Sequence, residues 1–91
     1  MTQPTMTAER YLEILAKLGW SERGASHFFG IGERTMRRWK AEDHIGRPVA
    51  MVLELMIAKK LKPERVLEIA KVRPSQIEFI MANLYDQRFD T

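Results

Sequence analysis

Cysteine is absent from this 91-residue chain, which excludes disulfide staples, thiolate nucleophiles and every cysteine-based zinc or iron–sulfur site. Histidine is scarce. Only His27 and His44 occur, with no HExxH or other metal-ligand spacing between them, so no metal is expected. Long hydrophobic runs are missing as well: the longest, Val49-Ala50-Met51-Val52-Leu53, is far below the ~20 residues of a membrane span. The start, Met1-Thr2-Gln3-Pro4-Thr5, lacks the basic-then-apolar order of a signal peptide. No four-residue stretch alternates apolar and polar between turn residues, which argues against a sheet. Neither paired carboxylates at a plausible spacing, nor a nucleophile with its base, nor a phosphate-cradling glycine loop is present, so the chain does not read as an enzyme. The expectation is a cytoplasmic protein of a reducing compartment, with no cofactor, no evident small-molecule ligand and no membrane contact.

What is present is an ordinary globular composition, 45% hydrophobic and 30% charged, on a length that suits one small domain. The net charge of +3 is unevenly spread. Residues 1–32 balance Arg10, Lys17 and Arg23 against Glu9, Glu13 and Glu22. Residues 33–62 carry eight basic side chains (Arg34, Arg37, Arg38, Lys40, Arg47, Lys59, Lys60, Lys62) against Glu33, Glu42, Asp43 and Glu54, and residues 63–91 are slightly acidic. A polyanion would be met by the middle third.

Apolar spacing is helical throughout. Thr7 caps a helix over about 8–18 with Tyr11, Leu12, Leu15 and Leu18 on one stripe and Gly19 as its stop. Ser21 caps a second over about 22–29, with Trp20 placed to pack on Ala25 as a hydrophobic staple and Ala25, Phe28 and Phe29 inward. After Gly30-Ile31-Gly32 a third helix runs over 33–41. Pro48 opens a fourth that reaches about Lys60 and, apolar nearly all round, is expected at the centre of the core. Pro63 and Pro74 open two more, the first with Val66, Leu67 and Ala70 inward, the second with Ile77, Ile80, Met81 and Leu84 in register. Residues from about Asp86 onward are expected to fray. The fold class is all-α, a compact bundle of five or six short helices, divided as residues 1–62 and a C-terminal extension, 63–91, packed on them.

The third helix carries the information. With Glu33 at 0° and about 100° per residue, Arg37, Arg34 and Arg38 fall at about 40°, 100° and 140°, while Trp39 and Met36 fall at about 240° and 300°. Three guanidiniums thus share one face and the apolar pair the other. A nine-residue helix is unstable alone, since isolated helices under ~12–15 residues are marginal. Its apolar face must be held by the 22–29 helix, with the small Ser26 at the close crossing, leaving the arginines outward and His27 on the outer surface.

Two short helices joined by a tight glycine-bearing turn, the second with an outward arginine face, form a helix-turn-helix pattern. The stretch from Gly24 to Trp39 resembles that of the λ-repressor-like (Cro and phage-repressor type) regulators: small Ser26, apolar Phe29, turn glycine Gly30, apolar Ile31, and inward Met36 and Trp39 stand at the family's spacing. Arg47-Pro48-Val49-Ala50 leading into an apolar helix also looks like the family, and the resemblance covers about residues 8–60. Two positions depart from it. Glu22 stands where many members carry a phosphate-gripping glutamine, and Lys40-Ala41-Glu42 where many have a glycine.

The resemblance implies sequence-specific binding of double-stranded DNA by a transcription regulator, with helix 33–41 in the major groove. Its N-terminal end, Gly32 to Arg34, would lie nearest the bases. Arg34, Arg37 and Arg38 would read base edges or grip phosphates, because arginine pairs bidentately with guanine O6 and N7. Glu33 would accept from cytosine N4 or favour the helix N-terminus. Lys40 and Arg47 would flank on phosphate, and Arg23 or the helix N-terminal amides would replace the missing glutamine. A homodimer is expected through Ile77, Phe79, Ile80, Leu84, Tyr85 and Phe89. The competing reading is a protein-interaction or antitoxin-like module on the same scaffold.

Overall fold

The helix boundaries follow from caps that the chain encodes locally. In the computed structural model, which describes residues 6–86, the order is α1 Ala8–Leu18, α2 Glu22–Phe29, α3 Glu33–Ala41, α4 Arg47–Lys59, α5 Pro63–Ile69 and α6 Pro74–Leu84. The protein is a small all-α bundle. Among the described residues the only β pairing is a single antiparallel bridge between Trp20 and Tyr85. Thr7 Oγ1 accepts the Arg10 N–H at 3.1 Å and Ser21 Oγ accepts the Gly24 N–H at 2.9 Å, so both expected N-caps form. Gly30 ends α2 at φ 68°. Its N–H reaches His27 O at 3.2 Å and that of Ile31 reaches Ser26 O at 3.0 Å, the paired bonds of a Schellman stop. Pro48, Pro63 and Pro74 each stand in the first turn of α4, α5 and α6, where a missing N–H costs nothing. No helix among the described residues is long and apolar enough to cross a membrane.

One core joins all six helices, with Tyr11, Ile14, Trp20, Met36, Leu53, Met56, Leu67 and Leu84 among its buried members. Several inward faces differ from the periodicity reading. On α1 the buried set is Tyr11, Ile14 and Leu15, whereas Leu12 is exposed. On α5 Leu67 is buried, Val66 partly so, and Ala70 ends the helix exposed. The greatest departure is α4. Val49, Ala50, Leu53 and Met56 are buried, but Met51 is 62% and Leu55 52% exposed, so α4 lies against the core rather than at its centre. Among the described residues no other helix covers the side of α4 that carries Met51 and Leu55.

Two close approaches position the pieces. Gly24 lets the end of α6 come against α2: a Cβ there would sit 2.5 Å from Leu84 O and 2.6 Å from Asn83 O. The chain beyond α6 is tied down in the same place, with Ser21 N–H donating to Leu84 O at 2.8 Å and Asp86 N–H to Gly19 O at 2.8 Å. Asp86 is therefore pinned rather than frayed, and residues 87–91 lie outside the described residues. At the other end, Asp43 Oδ1 accepts the Ala8 N–H at 2.8 Å and Met6 O accepts the Ile45 N–H at 3.0 Å, which clamps the α3–α4 link to the start of α1. Arg10 adds a fork from α1 to α4, donating to both Glu54 oxygens at 2.8 and 2.9 Å and to Glu13 at 2.5 Å. Those bonds hold the Glu13 and Glu54 carboxyls below the usual carboxylate range.

Gly24→Ala should raise helix propensity by up to ~1 kcal/mol, yet the expected outcome is a net loss of about 1–3 kcal/mol because backbone, not a mobile side chain, blocks the new methyl. A thermal melt followed by circular dichroism reads it, at about 4–8 °C per kcal/mol for a domain of this size. The carboxyls make a second expectation. A carboxyl whose folded pKa is lowered contributes stability above its unfolded value of about 4.3, and that contribution is lost as pH falls through the lower folded value. Glu54→Gln should therefore melt below the wild type at neutral pH, and the gap should close under about pH 4.

Candidate functional site

The candidate site is the outward face of α3, with Arg47 at the start of α4 as a further exposed cation. What holds α3 is its back. Met36 is 4% exposed, and the buried Tyr11 hydroxyl donates to its sulfur at 3.9 Å; burial, and then the charge of Glu22, pushes that hydroxyl well above the ordinary tyrosine value. Trp39 is partly buried rather than fully so. Its ring lies over Gly46, where a Cβ would meet a ring carbon at 2.6 Å. Behind α3, Ser26 is buried as its small size suggests, its hydroxyl donating to Glu22 O at 3.0 Å.

With its back fastened, α3 presents Arg34, Arg37 and Arg38 to solvent. None of the three forms an ion pair among the described residues, and neither does Arg47, exposed at the first position of α4. Gly32 is the N-cap of α3 at φ −64° and ψ 146°, with no side-chain hydrogen bond to the first turn and open space around it. The amides opening α3 are thus free of any capping side chain, at the end where the helix dipole favours an anion.

The other three anticipated side chains are engaged within the protein. Arg23 Nε stands 3.4 Å from Glu33 Oε2, and Lys40 Nζ pairs with Glu22 Oε1. Both pairs cross from α2 to α3 over a cleft of about 140 Å³ that Ser26, Met36 and Arg37 also line. Sequence reading missed these pairs because Glu22 and Lys40 are 18 residues apart and meet only through the helix crossing. It also misplaced His27. That ring is half-buried, 5.6 Å from the ring of Phe79, and its Nδ1 is buried without a hydrogen-bond partner among the described residues. Among the described residues no group of three histidine or carboxylate side chains converges to hold a metal ion.

Comparison with protein-family models, with curated proteins and with solved structures returns no match. Because no partner among the described residues holds Arg34, Arg37 or Arg38, the variant with all three replaced by alanine should fold. Each exposed substitution is expected to move stability by no more than ~0.5 kcal/mol, and the melting temperature checks this.

Proposed function

We propose that this protein binds double-stranded DNA sequence-specifically, as a transcription regulator of the λ-repressor-like kind, with α3 in the major groove. The observation that carries the reading is the unpaired Arg34–Arg37–Arg38 face on a nine-residue helix anchored from behind by Met36. The major groove, about 12 Å wide, admits a helix of about 10–12 Å diameter. Guanidinium forks match guanine O6 and N7, and also phosphate, so this face is suited both to base edges and to backbone. Arg47 and the uncapped amides after Gly32 flank the helix as phosphate contacts.

A domain of this size covers on the order of 600–1,000 Å² on DNA, and such domains gain affinity by pairing on half-sites about 10 bp apart. In the C-terminal set anticipated for pairing, Ile80 and Leu84 are buried in the domain's own core, and Phe89 lies outside the described residues. Phe79 and Tyr85 remain exposed, with Ile69 of α5 also outward, and these are the side chains offered to a second copy. The same exposed apolar residues favour the alternative reading, in which the domain docks a protein partner.

Selection from random duplexes at stated salt tests the proposal, the expected outcome being one enriched site. Against that site Arg37→Ala should lose about 1–3 kcal/mol and relax preference at one position. Equal retention of all duplexes, or an unchanged profile for the triple arginine variant, would overturn it.

A further inference from the structure

The cations on and around the α2–α3 unit fall into two classes. Arg34, Arg37, Arg38 and Arg47 are exposed and unpaired, whereas Arg23 and Lys40 each have a carboxylate in reach. The two carboxylates, Glu22 and Glu33, are the only acidic residues within α2 and α3, and each is matched to a cation on the opposite helix. The Lys40 side chain is 27% exposed, against 73% for Arg23, so Lys40 is the more firmly held.

We propose that Glu22 and Glu33 are specificity determinants: they withhold Lys40 and Arg23 from the DNA backbone and leave Arg34, Arg37, Arg38 and Arg47 as the side-chain cations that meet the polyanion. This rests on the DNA reading above. Affinity for any duplex regardless of sequence comes from phosphates neutralised and counterions released, each such contact adding about 0.9 to the slope of log K against log salt. A cation already matched to a carboxylate releases little, and the carboxylate itself repels phosphate. Sequence-dependent affinity comes instead from arginine forks on base edges, which these carboxylates leave free. The two acidic residues thus lower the background grip while sparing the base-reading side chains.

The test compares wild type, Glu22→Gln, Glu33→Gln and the double variant Glu22→Gln/Lys40→Gln. Each is titrated across a range of salt with a random-sequence duplex and with the selected duplex. Glutamine keeps the size of glutamate and removes its charge. The expected result is a slope steeper by about 0.9 for each single variant, random-duplex affinity raised several-fold, and a smaller ratio of selected to random binding. The double variant should return to the wild-type slope, because the freed cation is gone. A structural role for the pairs would shift the melting temperature without steepening the slope. If Glu22→Gln fails to fold, Glu33→Gln carries the same test through Arg23. Slopes equal to wild type, with wild type still bound to its selected duplex, would overturn this inference and leave the DNA reading standing. Folded wild type bound to no duplex at any salt would overturn both.

Discussion

Met36 is fastened behind α3 by Tyr11, whose hydroxyl donates to its sulfur at 3.9 Å, and the arrangement of the proposed site depends on that burial. A nine-residue helix with mostly charged and polar side chains has no stability of its own, since its nucleation is not repaid over so few turns. It exists here because Met36 and part of Trp39 leave water against α1, α2 and the α3–α4 link. The orientation of the arginines follows from the same contact. Once Met36 points inward, residues 34, 37 and 38 have nowhere to project except outward.

The remaining architecture keeps that helix in place from two sides. On one, Gly24 allows the backbone at the end of α6 to lie against α2, and bonds from Ser21 and Asp86 tie the neighbouring links together. On the other, Asp43 and Ile45 pin the link after α3 to the start of α1. The α2–α3 unit is therefore backed by α6, which contributes Ile80 and Leu84 to the shared core. An exposed binding face on a short helix needs such support, because a loosely held helix loses orientation before it loses contact with its partner.

Electrostatics then sorts the cations. The cross-helix pairs are solvent-exposed and so contribute little to stability, but they change which charges are available to an incoming anion. Among the described residues, three unpaired guanidiniums share the outward face of α3, and Arg47 is exposed at the start of α4. Focused charge of one sign beside a rigid helix favours an oriented polyanion over a passing counterion.

The helices, their caps and the division of α3 into an arginine face and an apolar face are written into the order of residues. These are local matters: Thr7, Ser21, Gly19 and Gly30 act within their own turns, proline sets the starts of α4 to α6, and a repeat of 3.6 residues is written into the order of side chains. The packed fold sets which apolar stripe of α4 faces water, lays Trp39 half-covered over Gly46, and makes Gly24 a contact point rather than a mere weak spot in α2. It also pairs Lys40 and Arg23 with carboxylates on the facing helix, while Arg34, Arg37, Arg38 and Arg47 have none among the described residues. The physical reason is the same in each case. Periodicity says which side chains share a face, but the partner of that face is chosen by the crossing of helices distant in sequence, and no pattern along one chain segment encodes that crossing.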